Sequence, residues 1–364
     1  MKPVGIGIVG LGNISGTYLA AAAGFPLLDI RAVADLNPET ADRVAAEHGL
    51  RALPLDAIFT DPEVEVILNL TIPRAHVEVG LRAIAAGRHV YSEKPLGISF
   101  AEGRKLLEAA EAAGLRVGAA PDTFLGGGHQ TARALLDSGA IGKVIGGTAV
   151  MAGPGHERWH PDPDFYYDIG GGPMLDMGPY YLTDLVNLLG PVASVAGVCT
   201  TPRSSRTIAS GPRQGEVIPV RVPTHIAGLL HFVSGTTIQI TMSFDVQAHR
   251  QSHIELWGSA GSLIVPDPNR FGGRPELWRS GSDWTPQPVT LPFAEGNLRS
   301  LGLAEMAEAI RMDRPHRASG ALALHVLEVM EAIGRAGEEG RMIEITTDID
   351  RPAPLGPGPA TSKD

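Results

Sequence analysis

Residues 4–16 read VGIGIVGLGNISG, and this stretch indicates how the first third of the chain folds. Its first six residues form a short run rich in β-branched side chains, which predicts a buried strand. Gly10 and Gly12 follow directly, and the Ala-rich segment after them predicts a helix. The first glycine allows a tight turn, the second lets the backbone approach a pyrophosphate, and the helix N-terminus attracts negative charge. The stretch therefore predicts a dinucleotide-binding turn in which Gly10, Gly12, Asn13 and Ile14 contact the cofactor.

Asp35 ends the second predicted strand, residues 30–34, and supplies the acid that belongs to such a turn. A carboxylate at this point accepts hydrogen bonds from a ribose diol and repels a 2′-phosphate, which favours NAD over NADP. Ser15 stands where the pattern has its third glycine, and serine is still small enough to pack there. The alternative is a glycine-rich turn without a ligand, beside an ordinary surface aspartate. It is disfavoured because the strand, turn, helix and acid follow each other at the expected spacing. NAD is therefore the expected cofactor, and NADP stays open.

Strand-like and helix-like segments alternate over the first third of the chain. Strands are predicted at residues 4–9, 30–34, 64–70, 89–92 and 116–119. Helices are predicted at residues 17–23, from Pro38 onward with Asn37 as its N-cap, and at residues 75–86 and 100–113. Strands separated by helices of this length form βαβ units, so we expect a parallel sheet.

The pattern changes after Pro121, where longer segments with period-two alternation are separated by turn signals such as Ser234-Gly235. These strand-like segments cover residues 144–151, 226–232, 236–244 and 252–257, with helices at residues 131–137, 303–311 and 319–335. The pattern predicts a mostly antiparallel sheet with a few helices. We therefore expect one domain over residues 1–122, a second over residues 123–347, and a disordered proline-rich tail over residues 348–364.

Composition excludes several classes of function. The 364 residues include 30 basic and 40 acidic side chains, a formal net charge of −10, which argues against nucleic-acid or anionic-membrane partners. The single cysteine, Cys199, excludes an intramolecular disulfide and a cysteine-cluster metal site. No segment is apolar over the roughly 20 residues that a membrane span requires, and the first apolar run leads into the glycine turn rather than a cleavage site. We therefore expect a cytoplasmic protein.

Lys94 lies in the sequence Glu93-Lys94-Pro95, directly after the predicted strand at residues 89–92. Ligands of open α/β sheets bind at the carboxyl ends of the strands. Lysine can shift its pKa and exchange a proton, whereas arginine cannot, so Lys94 is a candidate for proton chemistry. From position alone, an ordinary surface lysine is an equally good interpretation.

Several of these motifs together resemble one known family. They are residues 10–16, Asp35, residues 71–76 (TIPRAH), 87–90 (GRHV), 93–95 (EKP) and 170–180 (GGGPMLDMGPY). This combination resembles the glucose–fructose oxidoreductase / inositol dehydrogenase / MocA-like (Gfo/Idh/MocA) family. The resemblance implies an N-terminal Rossmann dinucleotide-binding domain and a C-terminal α/β domain with a large, open-faced sheet. It also implies NAD(P)-dependent hydride transfer on sugars, cyclitols and polyols, and a cis Lys94–Pro95 bond. An open-faced sheet needs covering, so we expect a homodimer or homotetramer.

The resemblance assigns further site residues. It places Thr71, Pro73, His76, Glu93 and Lys94 beside the cofactor, and Lys94, Asp176 and Tyr180 at the reaction. Many family members carry a histidine where this chain has Tyr180, although one branch is similar in using tyrosine there. A phenol near a lysine ammonium can act as a general acid/base, because the positive charge lowers its pKa. Lys94 would then bond the reacting oxygen or carry the proton itself, and the neighbouring Tyr181 stays open for either role of Tyr180.

Polar and aromatic residues concentrate between His156 and Asp168, just before the triple glycine. Polyol recognition needs polar side chains for hydroxyls and flat rings for C–H faces. We therefore expect Thr123, His156, Trp159, His160, Asp176, Tyr180 and Lys94 to bind substrate, with His129 and Gln130 as further candidates. A plain structural loop is an equal alternative for residues 156–168. A metal site at the two histidines is disfavoured because the prolines around them make this segment a loop rather than a metal-binding helix.

We predict an NAD-dependent dehydrogenase or ketoreductase that acts on a secondary alcohol or ketone of a sugar, glycoside or inositol-like polyol. Two alternatives remain. One is redox-assisted processing of a glycoside or C-glycoside, which begins with the same oxidation. The other is a cofactor-binding regulator on an enzyme scaffold, against which the presence of Lys94, Asp176 and Tyr180 argues. The expected partners are a small-molecule substrate and further copies of the chain, without nucleic acid or membrane.

Overall fold

In the computed structural model, which describes residues 1–361, the stretch at residues 4–16 forms a fully buried strand, a turn and the start of a helix. The strand lies inside a six-stranded parallel sheet of order β3-β2-β1-β4-β5-β6. The strands are β1 (Val4–Val9), β2 (Leu28–Ala34), β3 (Arg51–Ala52), β4 (Val66–Asn69), β5 (His89–Ser92) and β6 (Val117–Ala119). The predicted parallel Rossmann sheet is thus confirmed.

Five helices connect these strands. They are α1 (Ser15–Ala22), α2 (Pro38–His48), α3 (Leu55–Thr60), α4 (His76–Ala85) and α5 (Phe100–Ala112). The predicted cap of α2 is present, since the Asn37 side chain accepts a hydrogen bond from the Glu39 amide at 3.0 Å and Pro38 is the first helical residue. The sequence did not predict β3 or α3, because two and six residues are too short for a periodic pattern to show.

The second sheet has nine strands in the order β16-β15-β14-β13-β7-β12-β11-β8-β17, and its pairs are antiparallel except for β7 with β12. Helices α6 (Gly127–Asp137) and α7 (Gly172–Leu189) accompany it. The strands of this part of the chain are β7 (Val144–Ala152), β8 (Val192–Thr200), β9 (Ser205–Thr207), β10 (Val217–Pro219), β11 (His225–Phe232), β12 (Thr237–Ser243), β13 (Ile254–Gly258), β14 (Gly261–Val265), β15 (Glu276–Arg279), β16 (Thr285–Pro286) and β17 (Ile343–Glu344). Strands β9 and β10 form a separate two-stranded sheet.

One face of the large sheet is open. Val198, Leu229, Trp257 and Trp278 stand on the same face by strand register, and their exposed fractions are 62%, 45%, 40% and 38%. Helix α7 contacts β7, β11 and β12, whose alternate residues, such as Leu230 at 0%, are buried. The mostly antiparallel, open-faced sheet that the resemblance implied is therefore present.

The chain divides into two compact units whose residue ranges differ from those of the predicted domains. One unit comprises Met1–Leu125, Glu295–Leu327 and a segment that begins at Ala353, and the other comprises Gly126–Ala294 and Glu328–Pro352. Helix α8 (Leu301–Met312) returns to the first unit because the Asp122 carboxylate accepts hydrogen bonds from the amides of Ser300 and Gly302, at 3.2 and 2.9 Å. The long last helix α9 (Gly320–Glu339) contributes residues to both units.

Residues 348–361 of the predicted tail have no regular secondary structure, but some of them contact the rest of the chain. Arg351 donates hydrogen bonds to the Asn187 carbonyl at 2.8 Å and to the Asp137 carboxylate at 2.7 Å. Leu355 is 4% exposed. Residues 362–364 of the predicted tail lie outside the described residues. No helix within residues 1–361 has the length and apolar character needed to cross a membrane.

Asp122 gives the first unit a pH-dependent stability that can be measured. Burial raises the pKa of Asp122 to about 6 from 3.8, so the folded state holds this proton more tightly than the unfolded state. The favourable contribution is therefore complete below pH 3.8 and is lost as the pH rises through 6, a change of about 3 kcal/mol. The free energy of unfolding of the wild type, minus that of Asp122→Asn, should fall by about 2.4 kcal/mol of this total between pH 4 and pH 7 in urea titrations.

The control for this experiment is Asp313→Asn, at a fully exposed aspartate with a left-handed backbone that asparagine tolerates. Its difference from the wild type should not change with pH over this range. An Asp122→Asn difference that is equally flat would contradict the assignment.

Candidate functional site

The glycine turn has the geometry that a dinucleotide requires. Gly10 has φ +93°, and a Cβ on it would lie 2.8 Å from the Leu70 carbonyl and the Thr71 amide nitrogen, so only glycine fits. At Gly12, by contrast, no atom lies within 4 Å of the position that a Cβ would take. The Ser15 hydroxyl donates to the Gly12 carbonyl at 2.8 Å and fixes the turn. The backbone at Gly12 is therefore open to a close-packed ligand at the N-terminus of α1.

Asp35 ties this turn to the end of β2. One carboxylate oxygen accepts the Leu11 amide at 2.7 Å, and the other accepts the Asn37 amide at 2.9 Å. Each carboxylate oxygen can accept more than one hydrogen bond, so both keep capacity for ribose hydroxyls. The structure thus places Asp35 next to the glycine turn, as the sequence predicts.

Asn69, which the sequence analysis missed, organises the end of β4. Its side chain is fully buried, accepts the Thr71 hydroxyl at 2.7 Å and donates to the His76 carbonyl at 2.9 Å. The available signal was a lone amide inside the apolar run Val66 to Leu70. Asn69 therefore holds Thr71, a predicted cofactor residue, in a fixed turn.

His76 braces two loops at the carboxyl edge of the sheet. Its Nδ1 lies 2.6 Å from the Pro95 carbonyl and its Nε2 lies 2.9 Å from the Thr71 carbonyl, and the side chain is 1% exposed. Burial lowers the pKa of His76. The Lys94–Pro95 bond is cis, as the resemblance implied. Both ring nitrogens are occupied by the chain, so the imidazole joins the loops that carry Thr71 and Pro95 rather than facing an open ligand surface.

The Glu93 carboxylate also faces inward. It accepts the Tyr18 hydroxyl at 2.7 Å and the Lys94 amide at 2.9 Å, and Glu93 is 8% exposed. Burial, together with the Glu93 charge, raises the pKa of Tyr18. The neighbouring Lys94 is half-buried at the carboxyl end of β5. Glu93 thereby fixes the backbone on which Lys94 stands, and direct contact of Glu93 with cofactor stays a prediction.

Helix α7 carries Asp176 and Tyr180, and it also contacts His156, another predicted residue of the second unit. It runs without interruption through Pro179, so Asp176 and Tyr180 are one turn apart. His156, at the start of a short 3-10 turn, has its Nε2 2.9 Å from the Asp176 carboxylate. Tyr180 is 6% exposed. Three residues that the sequence selected separately, His156, Asp176 and Tyr180, thus lie on or against the same helix segment.

Tyr181, the other candidate for the role of Tyr180, has a different environment. It is 1% exposed, and its hydroxyl lies 2.7 Å from Nδ1 of His253. Burial, with a smaller effect of Asp267, raises the pKa of Tyr181 well above its usual range. Tyr181 is thus engaged with His253, and the role of Tyr180 stays a prediction.

The segment between β7 and α7 is an aromatic loop. The His156 ring packs at 5.3 Å from Trp159 and 4.2 Å from Tyr166, measured between ring centroids, and His160 packs at 5.3 Å from Trp159. Trp159 is 59% exposed. Within residues 1–361, no cluster of three or more His, Cys, Asp or Glu side chains is arranged to hold a metal ion. The loop presents an indole face beside a carboxylate–imidazole pair.

A buried ionic network anchors this loop, and the sequence analysis missed it. Arg206, which is 3% exposed, donates to Glu157 at 3.2 Å and to Asp245 at 2.6 Å. Tyr167 donates its hydroxyl to Glu157 and accepts the His156 amide at 3.1 Å. The position of His156 therefore depends on Arg206 through two intermediate side chains.

Two of the expected substrate residues are enclosed. His129 is 0% exposed, with Nδ1 2.7 Å from Asp184 and Nε2 2.8 Å from the Arg270 carbonyl, so the expectation that it lines a cleft is wrong. Burial lowers its pKa, but the Asp184 carboxylate outweighs this effect and the pKa of His129 is raised. Thr123 is 1% exposed in a 3-10 turn. Both residues contribute to the structure around their own elements.

The open glycine turn, the anchored Asp35 and the parallel sheet define a Rossmann dinucleotide-binding protein. Residues 4–120 match the family described as an oxidoreductase family with an NAD-binding Rossmann fold, and residues 129–264 match the GFO/IDH/MocA C-terminal domain. The two matches together cover most of the chain, which belongs to the Gfo/Idh/MocA oxidoreductase family. It is therefore an enzyme that uses NAD, in agreement with the sequence prediction.

Individual relatives agree with this assignment. The chain is 29% identical to dTDP-3,4-didehydro-2,6-dideoxy-alpha-D-glucose 3-reductase of Saccharopolyspora spinosa, over 72% of this chain and 75% of the relative. It is 25% identical to 1,5-anhydro-D-fructose reductase of Ensifer adhaerens, over 94% and 99%. The structure of levoglucosan dehydrogenase in complex with NADH and L-sorbose shares the fold, with a TM-score of 0.81 at 18% identity, covering 96% of this chain and 100% of that one.

Proposed function

We propose that the protein transfers a hydride between NAD and a secondary alcohol or ketone of a sugar, glycoside or inositol-like polyol. The observation that carries the proposal is the aromatic loop, where the exposed Trp159 face stands in one cluster with the His156–Asp176 pair. A flat ring suits the C–H face of a sugar, and a carboxylate and an imidazole suit its hydroxyls. The reductases and the dehydrogenase named above act, by their names, on sugars or anhydrosugars.

The residues that would hold NAD fit it. The amides of Asn13 and Ile14 at the start of α1, with the open backbone of Gly12, suit the pyrophosphate, and Asp35 suits a ribose. Thr71 and Pro73 follow β4 at the same edge of the sheet. His76 and Glu93 support these contacts through the loops that they hold. When bound, NAD supplies the nicotinamide that accepts or returns a hydride.

Two exposed apolar side chains at this edge were not predicted. Leu36 follows Asp35 and is 88% exposed, and Ile72 follows Thr71 and is 68% exposed. Large aliphatic groups in such positions, directly after the strands of a nucleotide-binding sheet, suit the flat faces of an adenine. We include both among the cofactor contacts.

The residues assigned to the reaction are the predicted ones, but the role of Tyr180 differs from the predicted general acid/base. Lys94 hydrogen-bonds the reacting oxygen through its ammonium group, which stabilises negative charge as the hydroxyl loses its proton. Asp176 orients a hydrogen-bond partner, and Tyr180 donates to or accepts from the substrate hydroxyls. His156, Trp159 and His160 bind the sugar from the aromatic loop.

A substrate panel tests the proposal. Purified protein is mixed with NAD and with aldoses, glycosides, anhydrosugars and inositols in turn, and NADH formation is followed by absorbance. We expect turnover with at least one of these classes, with mass spectrometry showing a product two hydrogens lighter than the substrate. Release of an aglycone would indicate redox-assisted glycoside processing instead. Tight NADH binding without turnover on any class, in either direction, would support the regulator alternative.

Asp35 should control the choice of cofactor. In Asp35→Asn the charge and part of the hydrogen-bonding capacity are lost, while one acceptor remains for the Leu11 or Asn37 amide. A hydrogen bond to a charged group contributes about 1.5–3 kcal/mol, so the Kd for NADH should rise roughly tenfold or more. The Kd for NADPH should fall, because the repulsion of its 2′-phosphate is removed. Fluorescence titration of both cofactors measures this, and tighter NADPH than NADH binding by the wild type would overturn the assignment.

We further propose that the open sheet face pairs with a second copy of the chain. Its exposed aliphatic and indole side chains, among them Leu229 and Trp257, form the kind of apolar surface that association buries. Leu229→Glu should convert an oligomer of the wild type into a smaller species in sedimentation experiments. Ile145→Glu is the control, since Ile145 is 63% exposed but its strand register places it on the other face. A monomeric wild type would reject the proposal.

A further inference from the structure

The His156–Asp176 pair has the form of an oriented base. His156 Nε2 lies 2.9 Å from the Asp176 carboxylate, and the two side chains are 21% and 17% exposed. The ring is held on its other sides by Tyr166 and by Phe244, whose centroid lies 4.6 Å away. The pair is therefore rigid, yet it still reaches solvent, as a site for a substrate must.

The carboxylate also selects the tautomer of the imidazole. An ionised carboxylate only accepts hydrogen bonds, so Nε2 must carry the hydrogen that it donates to Asp176. In the neutral ring, Nδ1 then has the free electron pair and is the basic atom. This is the arrangement by which a carboxylate prepares a histidine for general-base catalysis, and it holds the imidazolium once the proton has arrived.

Tyr180 is less suited to that task. Its side chain is 6% exposed, and a phenol gives up its proton near pH 10, far above the value of about 6.5 that is typical of imidazole. A general base works best when its pKa lies near the working pH. Histidine meets this condition without a large perturbation, whereas tyrosine needs one.

We propose that His156 is the proton acceptor of the alcohol oxidation, through Nδ1, and that Asp176 positions it. As the alcohol is oxidised, its O–H proton moves to Nδ1 and the electron pair of that bond forms the carbonyl π bond. The hydrogen on the same carbon leaves with its electron pair as hydride to the nicotinamide, so two electrons pass from substrate to NAD. This assignment rests on the proposed function and gives His156, on a different segment, the role that the sequence analysis gave to Tyr180.

The charged and titratable groups around His156 are few. Asp176 faces it from α7, Tyr166 from the same loop, and the Tyr167 hydroxyl accepts its backbone amide. Phe244, at the end of β12, contributes no charge. His160 belongs to the same loop, and its backbone amide donates to the His156 carbonyl at 2.9 Å. An ionisation in the profile of kcat/KM for oxidation is therefore assigned to His156 only if His156→Ala removes it and His160→Ala keeps it.

The test compares His156→Ala with Tyr180→Phe. We expect His156→Ala to lose about 10²–10⁴-fold in kcat, to lose the ionisation from its pH profile, and to be partly restored by added imidazole. Tyr180→Phe should keep the ionisation. His231→Ala, at an exposed histidine of β11 in the same unit, is the control and should match the wild type in turnover. NADH binding should be unchanged in all three. Because His156 and Tyr180 lie in the second unit, an unchanged calorimetric melting profile is the measurement that shows this unit to be folded.

A second measurement does not depend on turnover. In the wild type, ¹⁵N NMR of labelled histidine should show His156 as the Nε2–H tautomer, and Asp176→Asn should disturb that preference. Loss of activity without imidazole rescue and with an unchanged pH profile would show that His156 is only structural, and the proposal would fall. Full activity of His156→Ala would also overturn it, while the proposed function would stand. Absence of wild-type turnover across the substrate panel would defeat the proposed function itself.

Discussion

Replacing Lys94 by methionine is expected to lower kcat/KM about 10³-fold while leaving NADH binding nearly unchanged. Methionine keeps the length and the apolar stem of lysine but removes the ammonium group. Loss of one donor to a developing oxyanion costs about 10²–10³ in rate, and a charged donor lies at the upper end of that range. The loop itself should persist, because Glu93 holds the Lys94 backbone amide and His76 holds the Pro95 carbonyl.

The matched control is Lys105→Met, which removes an exposed lysine from α5 in the same unit. Steady-state kinetics on the best substrate of the panel, with fluorescence titration of NADH, separates the two expected effects. Turnover of Lys94→Met within a few fold of the wild type would remove Lys94 from the mechanism. A parallel loss of NADH binding would instead mean that Lys94 serves the cofactor.

The Rossmann part could be predicted because its information is local. Strands β1 and β5 were predicted with their observed bounds. β1 is a short apolar run that ends at Gly10, and β5 ends directly before the charged Glu93. The turn between β1 and α1 needs glycine at position 10 because a Cβ there would clash with the backbone of Leu70 and Thr71. This requirement appears in the sequence as the glycine motif. Local pattern, turn chemistry and family resemblance all favoured the same fold.

Which side chains contact each other could not be predicted, even where the sequence analysis had selected the individual residues as candidates. His156 and Asp176 were both selected, but 20 residues separate them and no periodicity links a loop to a helix in that way. His129 was selected for a cleft because polar residues near a domain boundary suggest one. Its partner Asp184 lies 55 residues away, and only the folded chain shows that the pair is enclosed.

The sequence also gives no sign that a late segment of the chain joins the first unit again. Helix α8 was predicted as a helix from its apolar spacing, yet it begins at amides that Asp122 binds from 180 residues earlier. The sequence around each partner is ordinary by itself. The predicted second domain therefore continued to residue 347, whereas residues 295–327 belong with the first unit.

Replacing Arg206 by methionine is expected to have the largest effect on the stability of the second unit. Its side chain is 1% exposed between Glu157 and Asp245, which are 7% and 10% exposed. Arg206→Met therefore removes the cation beside Glu157 and leaves Asp245 only the more distant Arg203, at 3.9 Å. Breaking a buried ion pair from one side costs about 3–5 kcal/mol. For a unit of this size, that corresponds to a fall of roughly 10 °C in the melting temperature of the second unit.

Arg213→Met is the comparison that isolates burial. Arg213 contacts three carboxylates, those of Asp162, Asp164 and Glu216, against the two that Arg206 contacts, but it lies at the surface, where solvent screens such pairs. Its melting temperature should therefore stay close to that of the wild type. Equal losses in the two arginine variants, measured by calorimetry, would show that charge count rather than burial decides.

The function of the aromatic loop should fail together with the network, because Glu157 also accepts the Tyr167 hydroxyl, which in turn holds the His156 amide. We expect Arg206→Met, assayed well below its melting temperature, to raise the KM for substrate and lower kcat while the Kd for NADH is unchanged.

Neutralising the two carboxylates in Arg206→Met/Glu157→Gln/Asp245→Asn should recover much of the lost stability, since no unpaired charge is then enclosed. A triple variant no more stable than Arg206→Met would mean that the arginine acts by packing, through its stack on the Tyr167 ring at 5.2 Å, rather than by charge.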